Sequence, residues 1–349
     1  MGPYDLVELL GVLRTLKTLP KFWLQFFPRE MTFTTETIAM DQISDDYRRL
    51  APFVAPNVQG RIQKQNGFRT VAYRPAYVKP KDVVDPNINM FTRTAGESLA
   101  TGTLTPQQRY AATVAKLLAE QKIKIDNRLE WMACKAIVDG KVTIDGIDYP
   151  QVTVDFNRDA SLTRVLVGTA KWNSTAAQPF DDIRASNRAS NDLSGATGHQ
   201  VIFGSDAWAD FVTYIMNNEK ALRLINNDYR GSNTDVSLFT NGFEGLERVG
   251  RVQGSNGAGF DCWVYSAKFI NQDGQLENML DPRKVVGVSS LVDGVQAFGA
   301  IRDKKANLQP LKYFPKMWEN EDPSAEYLMT QSAPLMVPGQ INATWSLQV

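Results

Sequence analysis

Residues 105–141, TPQQRYAATVAKLLAEQKIKIDNRLEWMACKAIVDGK, carry the clearest periodic pattern in the chain. Thr105 fits a helix N-cap, Pro106 the first helical position, and Gln108 completes a capping box three residues after the cap. Tyr110, Val114, Leu118, Ile125, Leu129, Met132 and Ala136 then recur at helical spacing, and Gly140 is placed to end the helix in the left-handed conformation. A helix over about 105–138, some 33 residues at 1.5 Å each, is a rod of roughly 50 Å, far beyond the usual length of about 11 residues. No second long helix with a heptad pattern follows, so the stripe reads as a spine along which one sheet packs. Lys116, Glu120, Lys122, Lys124 and Asp126 read as its solvated side.

Downstream of the spine, Lys141 to Phe156 alternates as a hairpin, with Val142 and Ile144 before a turn at Asp145-Gly146 and Val152, Val154 and Phe156 after it. Asp181-Asp182 ahead of Ile183 marks a helix start, where negative charge meets the positive end of the helix dipole. Val201-Ile202-Phe203 predicts a short buried strand, followed by a helix capped by Ser205 or Asp206 and running through Trp208, Phe211, Val212 and Ile215. Residues 246–290 return to strand texture, with Trp263-Val264-Tyr265, a turn at Asp273-Gly274, and Val285 to Val288. The alternation predicts a mixed α/β module of about 110 residues inserted between the spine and the C-terminal strands.

Upstream, Asn66-Gly67 stands between two strand-like stretches, about Val58 to Lys64 and Phe68 to Arg74. This predicts a hairpin projecting roughly 23 Å at 3.3 Å per residue. Its strands hold Arg61, Gln63, Lys64, Gln65, Arg69 and Arg74 against few apolar residues. An isolated two-stranded hairpin is at best marginal in water, so it is either an exposed flap or, on the sharper reading, a hairpin that docks on another subunit. Before it, Leu6, Leu9, Leu10, Leu13 and Leu16 share one helical face. Asp5 and Glu8 precede the apolar positions and Arg14, Lys17 and Lys21 interrupt them, a pattern of neither a signal peptide nor a spanning helix. A packed amphipathic arm is the plainer reading, and a membrane-surface helix is disfavoured by those acids.

Composition narrows the chemistry. The 349 residues predict about two domains or one discontinuous one, and 38 Lys+Arg balance 38 Asp+Glu, so any contact with a polyanion is a local patch. One histidine, His199, and two cysteines, Cys134 and Cys262, cannot supply a zinc site. The cysteines, about 130 residues apart with no CxxC pair, read as small core residues in a reducing compartment. Neither GxSxG nor HExxH occurs, and GSNGAGF at 254–260 lacks the spacing of a phosphate loop. No cofactor, metal or catalytic residue is expected.

Three blocks carry a family resemblance: YFPKMWENEDPSAEYLMTQSAPLMVP at 313–338, FFPREMTFTTETI at 26–38, and AYRPAYVKPKDVVDP at 72–86. They resemble the lambda-type major capsid proteins of tailed bacteriophages, as does the order of arm, hairpin with Tyr77-Val78-Lys79-Pro80, long helix and C-terminal strands. The resemblance implies an α+β fold of the Hong Kong phage type. It divides the chain into an N-terminal arm (1–52), an E-loop hairpin (53–95), a peripheral domain (96–180 with 291–349) and an axial domain (181–290).

It further implies hexamers and pentamers closing an icosahedral shell around double-stranded DNA, with portal and scaffolding proteins, procapsid expansion and a possible decoration protein at threefold positions. Assembly would occur in the host bacterial cytoplasm, without a membrane. Residues expected at contacts between subunits are Leu10, Leu13, Phe26, Arg61, Lys64, Arg69, Tyr77, Lys79 and Lys81. The charged ones read equally as a solvated hairpin. Arg302, Lys304 and Lys305 are candidates to face packaged DNA, by non-specific contact, while Trp318 with Tyr313 and Phe314 is expected to pack the sheet. No local motif points to a covalent crosslink, so non-covalent stabilisation is expected. An encapsulin-like cargo compartment shell is the alternative on the same architecture. A monomeric hydrolase using Asp181, Asp182 or Glu319 is the alternative from another class.

Overall fold

The computed structural model describes residues 21–35, 37–43, 50, 51, 53–57, 59, 68–84, 106–146, 149–197, 200–217, 225, 226, 245–253, 259–307, 309–320 and 325–349. Its long helix, α1 (Pro106–Asp139), has 34 residues. The helix stops where the sequence predicts, at Gly140 with φ +66°, a conformation that costs a residue with a Cβ about 1–2 kcal/mol. Two shorter helices, α2 (Pro179–Ser194) and α3 (Ser205–Met216), follow.

The strands before α1 are β1 (Arg29–Thr32), β2 (Ile38–Ile43), β3 (Phe68–Tyr73) and β4 (Lys81–Val84). After it come β5 (Lys141–Gly146), β6 (Tyr149–Asp155), β7 (Thr163–Val165), β8 (Gln200–Phe203) and β9 (Ile225–Asn226). Next are β10 (Leu246–Gln253), β11 (Gly259–Tyr265), β12 (Lys268–Ile270), β13 (Leu276–Asn278) and β14 (Lys284–Val288). The last are β15 (Val295–Phe298), β16 (Phe314–Asn320), β17 (Ala325–Gln331), β18 (Pro334–Val337) and β19 (Thr344–Gln348).

A seven-stranded sheet in the order β7-β19-β14-β8-β11-β10-β9 organises the molecule. It takes strands from both sides of the expected boundaries at 180/181 and 290/291, because β19 pairs antiparallel with β14 and parallel with β7. Its centre explains the unbroken apolar run of Val201-Ile202-Phe203. Val201 and Phe203 face a core with Trp172, Ile183, Phe211, Cys262, Trp345 and Leu347, while Ile202 faces a second core with Trp23, Leu129, Met132, Cys134, Phe298 and Leu335. A strand buried on both faces has no polar position to alternate with. Cys134 and Cys262 are free, buried and in different cores, as their composition suggests.

Two three-stranded sheets complete the spine's surroundings: β16-β17-β4, all antiparallel, and β1-β15-β18, in which β1 runs parallel to β15. The hairpin after the spine forms as β5 and β6, but Gly146 pairs with Tyr149, which keeps Asp145-Gly146 inside the first strand and moves the turn beyond it. The turn at Asn66-Gly67 and most of the expected partner strand, residues 58 and 60–67, lie outside the described residues. Among the described residues β3 pairs with β2. His199 and residues 254–258 lie outside them too. The cap of α3 is Gly204 and not Ser205 or Asp206; a Cβ there would stand 2.4 Å from the Pro282 carbonyl oxygen, so the close approach of that loop selects glycine.

Among the described residues no helix is long and apolar enough to cross a membrane, and no group of three or more His, Cys, Asp or Glu stands together as a metal site.

Candidate assembly surface

The spine is fixed to its neighbours by polar side chains that sit inside its apolar stripe. Gln121, fully buried, donates through Nε2 to Asp82 Oδ2 (2.8 Å) on β4 and to the Leu328 carbonyl (3.0 Å) on β17, and its Oε1 accepts from Thr330 Oγ1 (2.7 Å). One amide thus satisfies two strands. One end of the same sheet is tied by the Tyr110 hydroxyl, which donates to Glu326. At the spine's other end Arg158 enters from the loop after β6. Its guanidinium donates to the Ile137 and Val138 carbonyls (2.8 and 2.9 Å), to Thr163 Oγ1 (3.0 Å) and to Ser346 Oγ (3.0 Å). A cation at the negative end of the helix closes two of its last carbonyls and links them to β7 and β19. Burial pushes this guanidinium down to about 10, still well above neutral pH.

The arm meets the spine over residues 21–27. Glu130 is 1% exposed and accepts from the backbone N–H groups of Trp23 (2.6 Å) and Leu24 (3.1 Å) at the start of the short 3-10 turn Trp23–Phe26. Asp126 is not on a solvated side: it accepts from Lys21 Nζ (2.9 Å) and from the Tyr313 hydroxyl. Phe26 is buried in its own chain, 5.8 Å from Phe22 between ring centroids, and Phe22 and Trp23 reach Tyr265 at 5.8 and 5.5 Å.

Of the other residues singled out by sequence, Leu10, Leu13, Arg61 and Lys64 lie outside the described residues, and Arg69 is described only through its backbone in β3. Tyr77 is brought together with Lys79 and Arg302. Its hydroxyl donates to the Ala300 carbonyl (2.6 Å), and its ring lies 5.1 Å from Lys79 Nζ and 5.9 Å from Arg302 Cζ. Lys81 sits over Tyr327 (3.9 Å) and Trp318 (5.2 Å), whose rings stack at 5.6 Å on the face of the β16-β17-β4 sheet away from Gln121. Trp318 therefore packs on the sheet.

Arg302 and Lys304 are exposed and, with Asp303 and Asn307, line an open depression of about 500 Å³; Lys305 is described only through the backbone of its turn. Asp303 is drawn inward by Lys316 Nζ (2.7 Å) and Gln331 Nε2 (3.2 Å), so the outward side of the depression is cationic.

The stretch 50–57 is the counterpart of these buried anchors. Every one of its described residues is exposed, Leu50 at 93% and Phe53 at 107%. Large apolar side chains left without cover among the described residues suit a protein contact.

A family model described as phage major capsid protein E matches residues 5–349. The chain belongs to that family. It is a major capsid protein of the tailed-phage type, with the Hong Kong phage α+β fold. Its relatives include the major capsid protein of Escherichia phage N15, 27% identical over 344 residues and covering 97% of this chain and 96% of its own. The major capsid protein of Escherichia phage lambda is 26% identical over 347 residues, at 97% and 96% coverage. Among solved structures, the putative capsid protein of an E. coli CFT073 prophage matches at a TM-score of 0.70 and 23% identity over 100% of both chains. The mature capsid of bacteriophage PhiM1 matches at 0.53 and 10% identity, over 100% of this chain and 90% of that one. Capsid proteins of this family are structural proteins that assemble into a shell, the virion capsid. That assignment supports the head-subunit reading over a cargo compartment shell or a carboxylate-dependent hydrolase.

Proposed function

We propose that the chain assembles as hexamers and pentamers into the icosahedral head of a tailed phage, enclosing double-stranded DNA and playing a structural rather than catalytic part. The observation that carries this reading is the exposure of Leu50 and Phe53 in a subunit whose spine is anchored by its own buried side chains. On the division into arm (1–52), E-loop (53–95), peripheral (96–180 with 291–349) and axial (181–290) parts, Leu50 and Phe53 flank the junction of arm and E-loop, and the E-loop lies over an adjacent subunit. Leu10, Leu13, Arg61, Lys64, Arg69, Lys79 and Lys81 extend the contact, each surface ion pair contributing about 0–1 kcal/mol. Many such modest contacts acting together make a stable shell. Phe26 and Tyr77 act one step back, holding the arm and the hairpin base in place.

The cationic side of the Arg302 and Lys304 depression, with Lys305, supports loose contact with packaged DNA through its phosphates. Portal and scaffolding proteins would direct closure in the host bacterial cytoplasm, a decoration protein would bind at threefold positions, and expansion would re-pack the arm and E-loop around the spine without covalent crosslinks. Light scattering of the purified protein, with negative-stain images of the same fraction, tests the reading. Megadalton shells, hexamers or pentamers are expected. A 39.0 kDa monomer that never assembles, even with a scaffold partner, would overturn it.

A further inference from the structure

Three ties hold residues 21–27 on the spine, and they differ in kind. Lys21 and Asp126 form an ion pair at 2.9 Å whose lysine is 61% exposed, a contact of small and salt-dependent worth. Phe22, Trp23 and Phe26 make an aromatic cluster with Tyr265 that does not titrate near neutral pH. Glu130 is the third. It is a buried carboxyl with no cation in contact among the described residues, held by neutral backbone N–H groups from a segment 107 and 106 residues away in sequence.

Such an arrangement is sensitive to protons. An ionised carboxylate accepts from both N–H donors but is poorly solvated, whereas a protonated one relieves the buried charge and still accepts from N–H through its carbonyl oxygen. The groups facing Glu130 do not fix its charge. Lys21 on the arm is neutralised by Asp126 one turn back on the spine, and Asp126 also accepts from the Tyr313 hydroxyl. Cys134, one turn on, and Tyr265 on β11 are pushed up by burial, so both stay protonated through the neutral range.

We propose that residues 21–27 form a proton-controlled clasp, in which Glu130 holds the root of the N-terminal arm against the spine and loosens it as the carboxyl ionises. The sign follows from burial, which raises the docked carboxyl from 4.5 to about 7, against the opposing pull of the Trp23, Leu24 and Phe22 N–H groups and of Lys21. Lifting the arm hydrates Glu130 and returns it toward its ordinary range. Docking is then favoured most below pH 4.5 and loses that advantage as pH rises through about 7. The clasp responds most between those two values and is largely released above about 7, so a local change in acidity or a competing donor on a neighbour shifts the arm's exit from the subunit. The inference concerns the subunit itself and does not depend on the shell reading.

The test is hydrogen exchange at the Trp23 and Leu24 amides in the full-length, unassembled protein from pH 5 to 8.5, each rate referenced to the intrinsic chemical rate at that pH. Protection in the wild type is expected to fall on the order of a hundredfold across this range. Glu130→Gln should abolish the pH slope, and Lys21→Met should retain it. A flat wild-type profile, a slope surviving in Glu130→Gln, or a slope lost in Lys21→Met would each overturn the proposal. The wild-type and Lys21→Met profiles decide it even if Glu130→Gln does not fold. Absence of shells in a separate assembly assay would count against the head-subunit reading alone.

Discussion

The two halves of the spine solve the same problem differently. From Ile125 to Val138 the helix is buried on most sides, with Ile125, Leu129, Met132, Ala136 and Ile137 all at 2% exposure or less. From Tyr110 to Leu118 no residue is fully buried, and Tyr110 bonds Glu326 at the edge of the β16-β17-β4 sheet. There the attachment passes to hydrogen bonds from Gln121 and Tyr110. A helix of about 50 Å outruns the core of a small domain, and where apolar cover ends a few well-satisfied polar groups keep it in register.

That contrast can be broken by mutation and read by denaturant unfolding of the unassembled subunit. The largest effect is expected at Leu129→Ala, where a cavity in the main core should cost about 2–5 kcal/mol. Gln121→Leu keeps the volume but strands the Leu328 carbonyl and the Thr330 hydroxyl, and should cost about 1–3 kcal/mol. Leu118→Ala, on the half-exposed end, should cost about 1 kcal/mol. Equal losses for Leu118→Ala and Leu129→Ala would abolish the distinction between the halves. A Gln121→Leu loss smaller than that of Leu118→Ala would remove the amide's special place.

Much of this was legible. The stripe from Ile125 to Ala136, the stop at Gly140, the helix start at Asp181-Asp182 and the short buried strand Val201-Ile202-Phe203 follow from spacing and local chemistry. The polar anchors did not stand out, because a charged or amide residue on a helix is by default a solvated one. Gln121 had a signal even so: it occupies the stripe's own phase, three after Leu118 and four before Ile125, where an apolar residue was due. Glu130 and Arg158 carried none, since the backbone groups they bind, Trp23 and Leu24 for one and Ile137 and Val138 for the other, lie 20 or more positions away. The joining of β19 to β14 was hidden for a related reason, as strand pairing over such separations is decided by global packing and leaves no local mark. At the assembly surface, sequence singled out Tyr77, Lys79 and Arg302 separately, and their meeting around one aromatic ring emerges only in three dimensions.

The central strand β8, which gives alternate side chains to two cores, has a mechanical consequence. Bodies joined by a linker can slide or hinge past each other, but here the same four-residue strand is a party wall, and displacing either side drags the other through bonded atoms. The subunit has no slip plane at its middle. A load placed on either core is therefore shared with the other, and freedom to move falls to the margins, where the arm root and the exposed Leu50 and Phe53 lie.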